Sequence, residues 1–391
     1  MKRLTFPIPA FAKHLVLPFG LVAVCLSALC TSCLDDESLS LPNTPMGNFK
    51  SCWRTLDEHY CYFAEKKVDW DDVYRRYEPY FRDSVNSNIE EFQLLYKMLG
   101  ELHDGHVNLY SNFNVARNWS WFEDYPQNFD ATLLERYYLG KNYWIAGGMR
   151  YGMLKDTIGY IYYPSFSNTV GESNLDYVLG LLGNAKGLIF DVRDNGGGNL
   201  TNVETLVHRF TLTNNQYGPS PFVYGSIRHK TGPGHNAFSE PQELSVDVIS
   251  AKSKRVAWDA SRQPVVILTN RSCFSATNTF VMAMKALDGQ LVIDSTATPY
   301  PKIIKTMGDH TGGGGGLPFE STLPNGWVVR FSTSPMFDVR NCHIEDGFAP
   351  DYFVQMDSLH AYQDHIDDII ESARTFINQE TRMQYPKKGK E

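Results

Sequence analysis

Apolar positions recur at helical spacing early in the chain and at strand spacing later. Phe49, Cys52, Trp53, Leu56, Tyr60 and Phe63 mark one face at a period near 3.6, which predicts a helix. Trp70, Val73, Tyr74 and Tyr77 repeat the pattern after Asp69 as cap, with Pro79 near the end. Ile89, Phe92, Leu95, Tyr96, Leu99 and Leu102 predict a third helix from about Asn88. Residues 47–112 therefore read as a small N-terminal helical domain whose aromatic stripes are core. Across Leu102-His103-Asp104-Gly105-His106-Val107-Asn108-Leu109 the period turns from helical to alternating, which predicts a turn into a strand.

Residues 113–157 read as a connecting, strand-rich segment, with Tyr137–Leu139 and Tyr143–Ile145 as its apolar runs. From Ile158 the texture becomes βα. Ile158–Tyr163, Gly187–Val192 and Val265–Thr269 are short continuous apolar runs, as expected of strands buried on both faces. Helical stretches at Asn174–Leu182 and Leu200–Leu212 alternate with them, which implies a layered α/β domain over residues 158–375. Residues 214–262 lack sustained periodicity and read as a long excursion. Leu359, Tyr362, Ile366, Ile369 and Ile370 predict a last amphipathic helix, and residues 376–391 a tail that is disordered from Pro386.

With 391 residues the chain has room for two domains, and a net charge of −8 without a basic stripe argues against a nucleic-acid partner. The N-terminus carries an address. Lys2 and Arg3 precede an apolar stretch from about Leu15 to Leu29, then Thr31 and Ser32 lead to Cys33, which reads as a signal peptide over residues 1–33. Its end resembles a bacterial lipoprotein box, which implies a lipid on Cys33 and a membrane anchor; ordinary secretory cleavage nearby is the alternative. Leu34-Asp35-Asp36-Glu37-Ser38 opens a tether over residues 34–46 and resembles the surface-export signal of lipoproteins in one Gram-negative phylum. Together these imply an outer-membrane lipoprotein of the cell envelope, exposed at the surface. Cys52, Cys61, Cys273 and Cys342 are too few and scattered for a disulfide framework.

The candidate chemistry centres on the strand Val265–Thr269, a sharp turn through Asn270–Phe274, and Ser275 at the first turn of the next helix. Two readings stand: a helix cap, or a nucleophile set beside unpaired backbone N–H groups. Gly196-Gly197-Gly198 follows another core strand and can bring backbone N–H groups close to a ligand; no Lys-Ser/Thr follows, so an oxyanion hole suits it better than a phosphate loop. The run Gly312–Gly316 reads either as backbone lying against a substrate or as a plain flexible loop.

Asp191-Val192-Arg193-Asp194-Asn195-Gly196-Gly197-Gly198, Asn270-Arg271 leading to Ser275-Ala276, and Glu345-Asp346-Gly347-Phe348-Ala349-Pro350-Asp351 together resemble the tail-specific or C-terminal processing serine peptidases. Leu102-His103-Asp104-Gly105-His106 resembles their histidine-bearing branch, which includes tricorn core protease and interphotoreceptor retinoid-binding protein. The resemblance implies a crotonase/ClpP-like layered α/β catalytic domain. The short stretch between His106 and Ile158 leaves a PDZ domain absent or reduced. Position by position it implies Ser275 as nucleophile, His106 as base with Glu345 behind it, and Ala276 with Gly196 or Gly197 as the oxyanion hole. Gly313 and Gly314 would bind substrate. The lysine that serves as base in other relatives falls on glycine here; Lys302 and Lys305 lie outside that context. A histidine base of ordinary pKa, about 6.5, implies activity rising between about pH 6 and 8.

The implied function is a serine-type endopeptidase that cleaves peptide or protein substrates through an acyl-enzyme and needs no metal or organic cofactor. A non-catalytic binding module on the same fold and a small-acyl esterase are the rivals. Bland alternatives stand beside each residue: His106 as a buried structural histidine, Glu345 as a turn residue, and Cys273 as a thiol nucleophile or inert filler.

Overall fold

The computed structural model describes residues 41–83, 85–118, 123–212, 221–250, 252–288 and 302–384. The signal peptide, Cys33 and the tether to residue 40 lie outside these residues, as does the tail from residue 385. In chain order the strands are β1 (Asn108–Tyr110), β2 (Val115–Arg117), β3 (Trp144–Ala146), β4 (Met149–Met153), β5 (Gly159–Tyr162), β6 (Leu188–Asp191) and β7 (Phe222–Ile227). They continue as β8 (Gln242–Val246), β9 (Val265–Thr269), β10 (Ile304–Gly308), β11 (Gly316–Thr322), β12 (Val328–Asp338) and β13 (Tyr352–Phe353).

Two sheets form. The larger runs β13-β10-β9-β6-β5-β4-β3, parallel from β13 to β5 and antiparallel at β4 and β3. Its central strands are apolar on both faces because both faces are covered. Ile161, Phe190, Val265 and Ile267 meet the helices Glu172–Leu182, Leu200–His208 and Ala276–Leu287. Their neighbours Tyr160, Ile189, Val266 and Leu268 meet Ile369, Ile370, Ala373 and Ile377 of the helix Asp368–Gln384. Each fully buried aliphatic side chain of this kind contributes about 1.5–3 kcal/mol.

The smaller sheet runs β2-β1-β12-β7-β8, with β11 also paired to β12. The helices Pro45–His59 and Asn88–Gly100 pack on it, with Trp70–Asp83 packed against both, and Phe49, Leu56, Leu95 and Leu99 share one core with Leu109, Leu323, Trp327, Val329 and Phe331. The N-terminal helices thus complete a core with strands more than 200 residues later, and the β3–β4 hairpin extends the main sheet.

Several sequence expectations change. Ile89 and Tyr96 are exposed although the third helix forms as predicted, because its buried stripe is carried by Phe92, Leu95, Met98 and Leu99. The first helix stops at His59, so Phe63 opens a separate turn. The excursion holds β7 and β8, whose outward-facing halves weaken the apolar signal. His365 adopts φ +60° and breaks the last helix, which starts at Asp368 and runs to Gln384, into the stretch expected to be tail. No helix among the described residues is long and apolar enough to cross a membrane.

Candidate active site

The strand ends Asp191 of β6 and Thr269 of β9 lie side by side, since Asp191 pairs with Leu268. The loops that follow them therefore emerge together. Ser275 has φ +58° and ψ −122°, a left-handed conformation rarely adopted by a residue with a side chain, and its hydroxyl makes no capping hydrogen bond. The helix cap is set aside by that geometry: the serine is held in a strained turn with its oxygen unused.

Both glycine runs hold the turn. Ser275 N–H donates to Gly313 O (2.8 Å) and Gly312 N–H to Cys273 O (2.7 Å) on one side, while Phe274 N–H donates to Asn195 O (3.2 Å) on the other. Gly197, at φ +100°, sits so close that a Cβ there would lie 2.8 Å from Ser275 Cβ. Gly314, at φ +77°, is covered by the Phe274 ring, 2.4 Å from where its Cβ would stand. Asn195 bolts the two loops together: its Oδ1 accepts from Gly197 N–H (3.0 Å) and Thr277 Oγ1 (2.7 Å), and its Nδ2 donates to Tyr163 O (2.8 Å).

This arrangement divides the expected oxyanion donors. Gly197 N–H is taken by Asn195 and Gly197 does not line the cleft, which corrects its assignment. Gly196 and Ala276 N–H groups make no hydrogen bond among the described residues, and both residues line a cavity of about 390 Å³ together with Ser275. Gly314 lines it too; Gly313 does not, and serves instead through its carbonyl on Ser275 N–H.

His106 lines the same cavity, its ring 4.6 Å from that of Phe274. It is buried, and Nδ1 has no partner. Ser275 Oγ and His106 make no direct hydrogen bond. Burial pushes His106 down to about 4; the Asp104 carboxylate opposes the shift and the Arg330 guanidinium adds to it. The imidazole is therefore neutral well below the ordinary histidine range. The loop carrying the ring is fixed by Asp104, which accepts His106 N–H (2.7 Å), Tyr60 O–H (3.0 Å) and Ser332 O–H (3.0 Å).

The expected Glu345–His106 link is absent. Glu345 Oε1 lies 3.0 Å from Lys66 Nζ, and Oε2 accepts Gly315 N–H (2.9 Å). Burial and the Asp104 charge push the Glu345 carboxyl up, against the pull of Lys66. Lys66 also donates to His103 O (3.2 Å), so Glu345 supports the histidine loop through a lysine and the second glycine run through its backbone. A lysine on a short polar turn reads in sequence as a solvated charge, so nothing there announced it.

Neither Lys302 nor Lys305 lines the cavity: Lys302 Nζ donates to Leu212 O (2.8 Å) and Lys305 pairs with Asp288. The Cys273 thiol is fully buried, donates to Val192 O (3.0 Å), and burial pushes it well up, so it is filler. Asn278 donates to Ile344 O (2.8 Å) and accepts from Thr311 Oγ1 (2.8 Å), a structural role. Among the described residues no three His, Cys, Asp or Glu side chains gather in a way that could hold a metal ion.

The family model described as peptidase family S41 matches residues 157–354, and the one described as the tricorn protease C1 domain matches residues 42–100. The chain belongs to peptidase family S41. Among solved structures, a candidate peptidase from Parabacteroides merdae is 44% identical, with 86% of this chain and 97% of that chain covered and a TM-score of 0.74. Mature CPAF is 12% identical over 88% of this chain and 98% of its own, with a TM-score of 0.60. The tricorn protease is 16% identical over 86% of this chain and 37% of its own, with a TM-score of 0.51. The last two share the fold. No curated protein matches the chain. As a family S41 member the protein is a peptidase, a hydrolase acting on peptides or proteins, with the layered α/β fold expected from its sequence.

Proposed function

We propose that this S41 peptidase is a serine-type endopeptidase with Ser275 as nucleophile and His106 as general base. The observation that carries the reading is the strained turn at Ser275, whose hydroxyl is left unused inside the cavity that also holds His106. Attack by Ser275 Oγ on the scissile carbonyl would pass its proton to His106, and the developing oxyanion would be met by Ala276 and Gly196 N–H. His106 would then protonate the departing amine, leaving an acyl-enzyme for water to hydrolyse. Burial keeps the imidazole neutral and able to accept a proton, though it weakens it as a base, and the Asp104 carboxylate nearby partly restores its basicity.

The N-terminal pattern supports anchoring through a lipid on Cys33 and work at the cell envelope. Full-length Cys33→Ala is expected to leave the membrane fraction on envelope fractionation; firm retention would remove the anchor. For the chemistry, reaction with a fluorophosphonate probe followed by peptide mapping is expected to give one adduct, on Ser275, together with cleavage of a denatured protein substrate. An adduct elsewhere, or none, would overturn the nucleophile.

A further inference from the structure

The cavity carries a charge that acyl transfer does not use. Its lining includes Arg117, Arg271 and Arg330 and no acidic side chain. Arg271 is engaged elsewhere, 3.5 Å from Asp309 and stacked 3.9 Å over the Tyr125 ring. Arg330 is not. It is half-buried, and its guanidinium forms no hydrogen bond or ion pair among the described residues.

Strand register puts Arg330 in company. Asn108 of β1 pairs with Arg330 of β12 on one side and with Arg117 of β2 on the other. Directly opposed residues on neighbouring strands project from the same face, with Cβ atoms about 4.5–5.5 Å apart. The three side chains thus make a row, and all three line the cavity. Asn108 in the middle is 4% exposed; its Nδ2 donates to Gly105 O (3.3 Å), and its Oδ1 has no partner. Glu320 stands opposite Arg330 on β11, but it is exposed, does not line the cavity and makes no ion pair with it.

The Arg330 guanidinium faces the cavity without an ion-pair partner among the described residues, and its planar fork matches a carboxylate. We propose that Arg330, flanked by Asn108 and Arg117, forms a carboxylate subsite that selects peptides bearing an acidic group within a residue or two of the scissile bond. The distance is set by the cavity, which Arg330 shares with Ser275. The carboxylate belongs to an Asp or Glu side chain of the substrate. The proposal rests on the serine-peptidase reading.

The test digests two randomised peptide libraries, one amidated and one with free C-termini, with wild type, Arg330→Gln and Arg330→Lys, each confirmed folded by its melting temperature. Mass spectrometry locates the cuts. Loss of a charge-assisted pair inside a cavity is expected to cost about tenfold or more in selectivity. A side-chain subsite enriches Asp and Glu over Asn and Gln at one position of the amidated library. That enrichment should vanish in Arg330→Gln and survive in part in Arg330→Lys. Cleavage without it, including cuts that only cluster near free C-termini, overturns the subsite while the peptidase reading stands. Should wild type cut nothing, the peptidase reading fails, and the subsite is judged by passing both libraries over immobilised Ser275→Ala and Ser275→Ala/Arg330→Gln protein. Carboxylate-bearing peptides retained by the first and not the second support it; equal retention overturns it.

Discussion

The two walls of the cavity are built differently. On the nucleophile side, Ser275 and the glycine loops hang from the large sheet and are held by short backbone bonds and the neutral Asn195. On the base side, His106 hangs from the small sheet amid buried charges: Asp104, Glu345 and Lys66, with Arg330 beside them. Both walls are placed by contacts between segments far apart in sequence, the first through backbone hydrogen bonds and a neutral amide, the second through charged side chains. Preorganised backbone suits an oxyanion site, whereas on the other wall burial sets the proton affinity of the base and the Asp104 and Arg330 charges trim it.

Breaking either wall at its reactive group should have the largest effect. Ser275→Ala is expected to lower kcat on the order of 10⁶-fold, and His106→Ala by a comparable factor, because groups acting as one unit fail together. Lys302→Ala and Lys305→Ala should keep near-wild-type turnover in the same peptide assay, since neither reaches the cavity.

Beneath the neutral wall lies a buried ion pair that tests its support. Arg193 lies 2.6 Å from Asp191 and 2.9 Å from Asp367 and donates to Asn128 O (3.0 Å), tying the glycine loop to the start of the last helix. Arg193→Met should leave two buried carboxylates uncompensated and cost about 3–5 kcal/mol, read from denaturant unfolding.

On the charged wall, His106 prefers to be neutral when folded, with a pKa of about 4 against roughly 6.5 unfolded. Between those values the unfolded chain binds more protons, so stability falls as pH is lowered through this window, by about 3 kcal/mol in all. His106→Gln should flatten that part of the stability–pH curve. The smallest effect is expected at Cys273→Ala, where turnover should stay near wild type; a dead enzyme would return the thiol to the candidates.

The same contrast explains what was legible beforehand. The apolar runs of β5, β6 and β9, the turn to Ser275 and the glycine loops are local patterns, and each was visible in sequence. Asp104, Lys66 and Asn195 draw their roles from partners 30 to 280 residues away, and no local period encodes such pairings. Glu345 stood in a recognisable motif, yet its partner proved to be Lys66 rather than His106. For Arg330 a signal did exist: a charge interrupting the run Val328-Val329-Arg330-Phe331, at a position that faces the cleft. The strands of residues 221–250 escaped because β8 buries only Val246, leaving little alternation to read.

The central claim is that these two walls deliver one serine and one histidine to a common cavity as a working pair. It is tested most directly by the rate of fluorophosphonate reaction at Ser275 across pH 3.5 to 8, in wild type and His106→Ala. A single adduct on Ser275 is expected, with a rate already level by about pH 5.5 because the base is neutral from about 4 upward, and a fall by orders of magnitude in His106→Ala. Labelling of Ser275 that proceeds equally fast without His106 would contradict it.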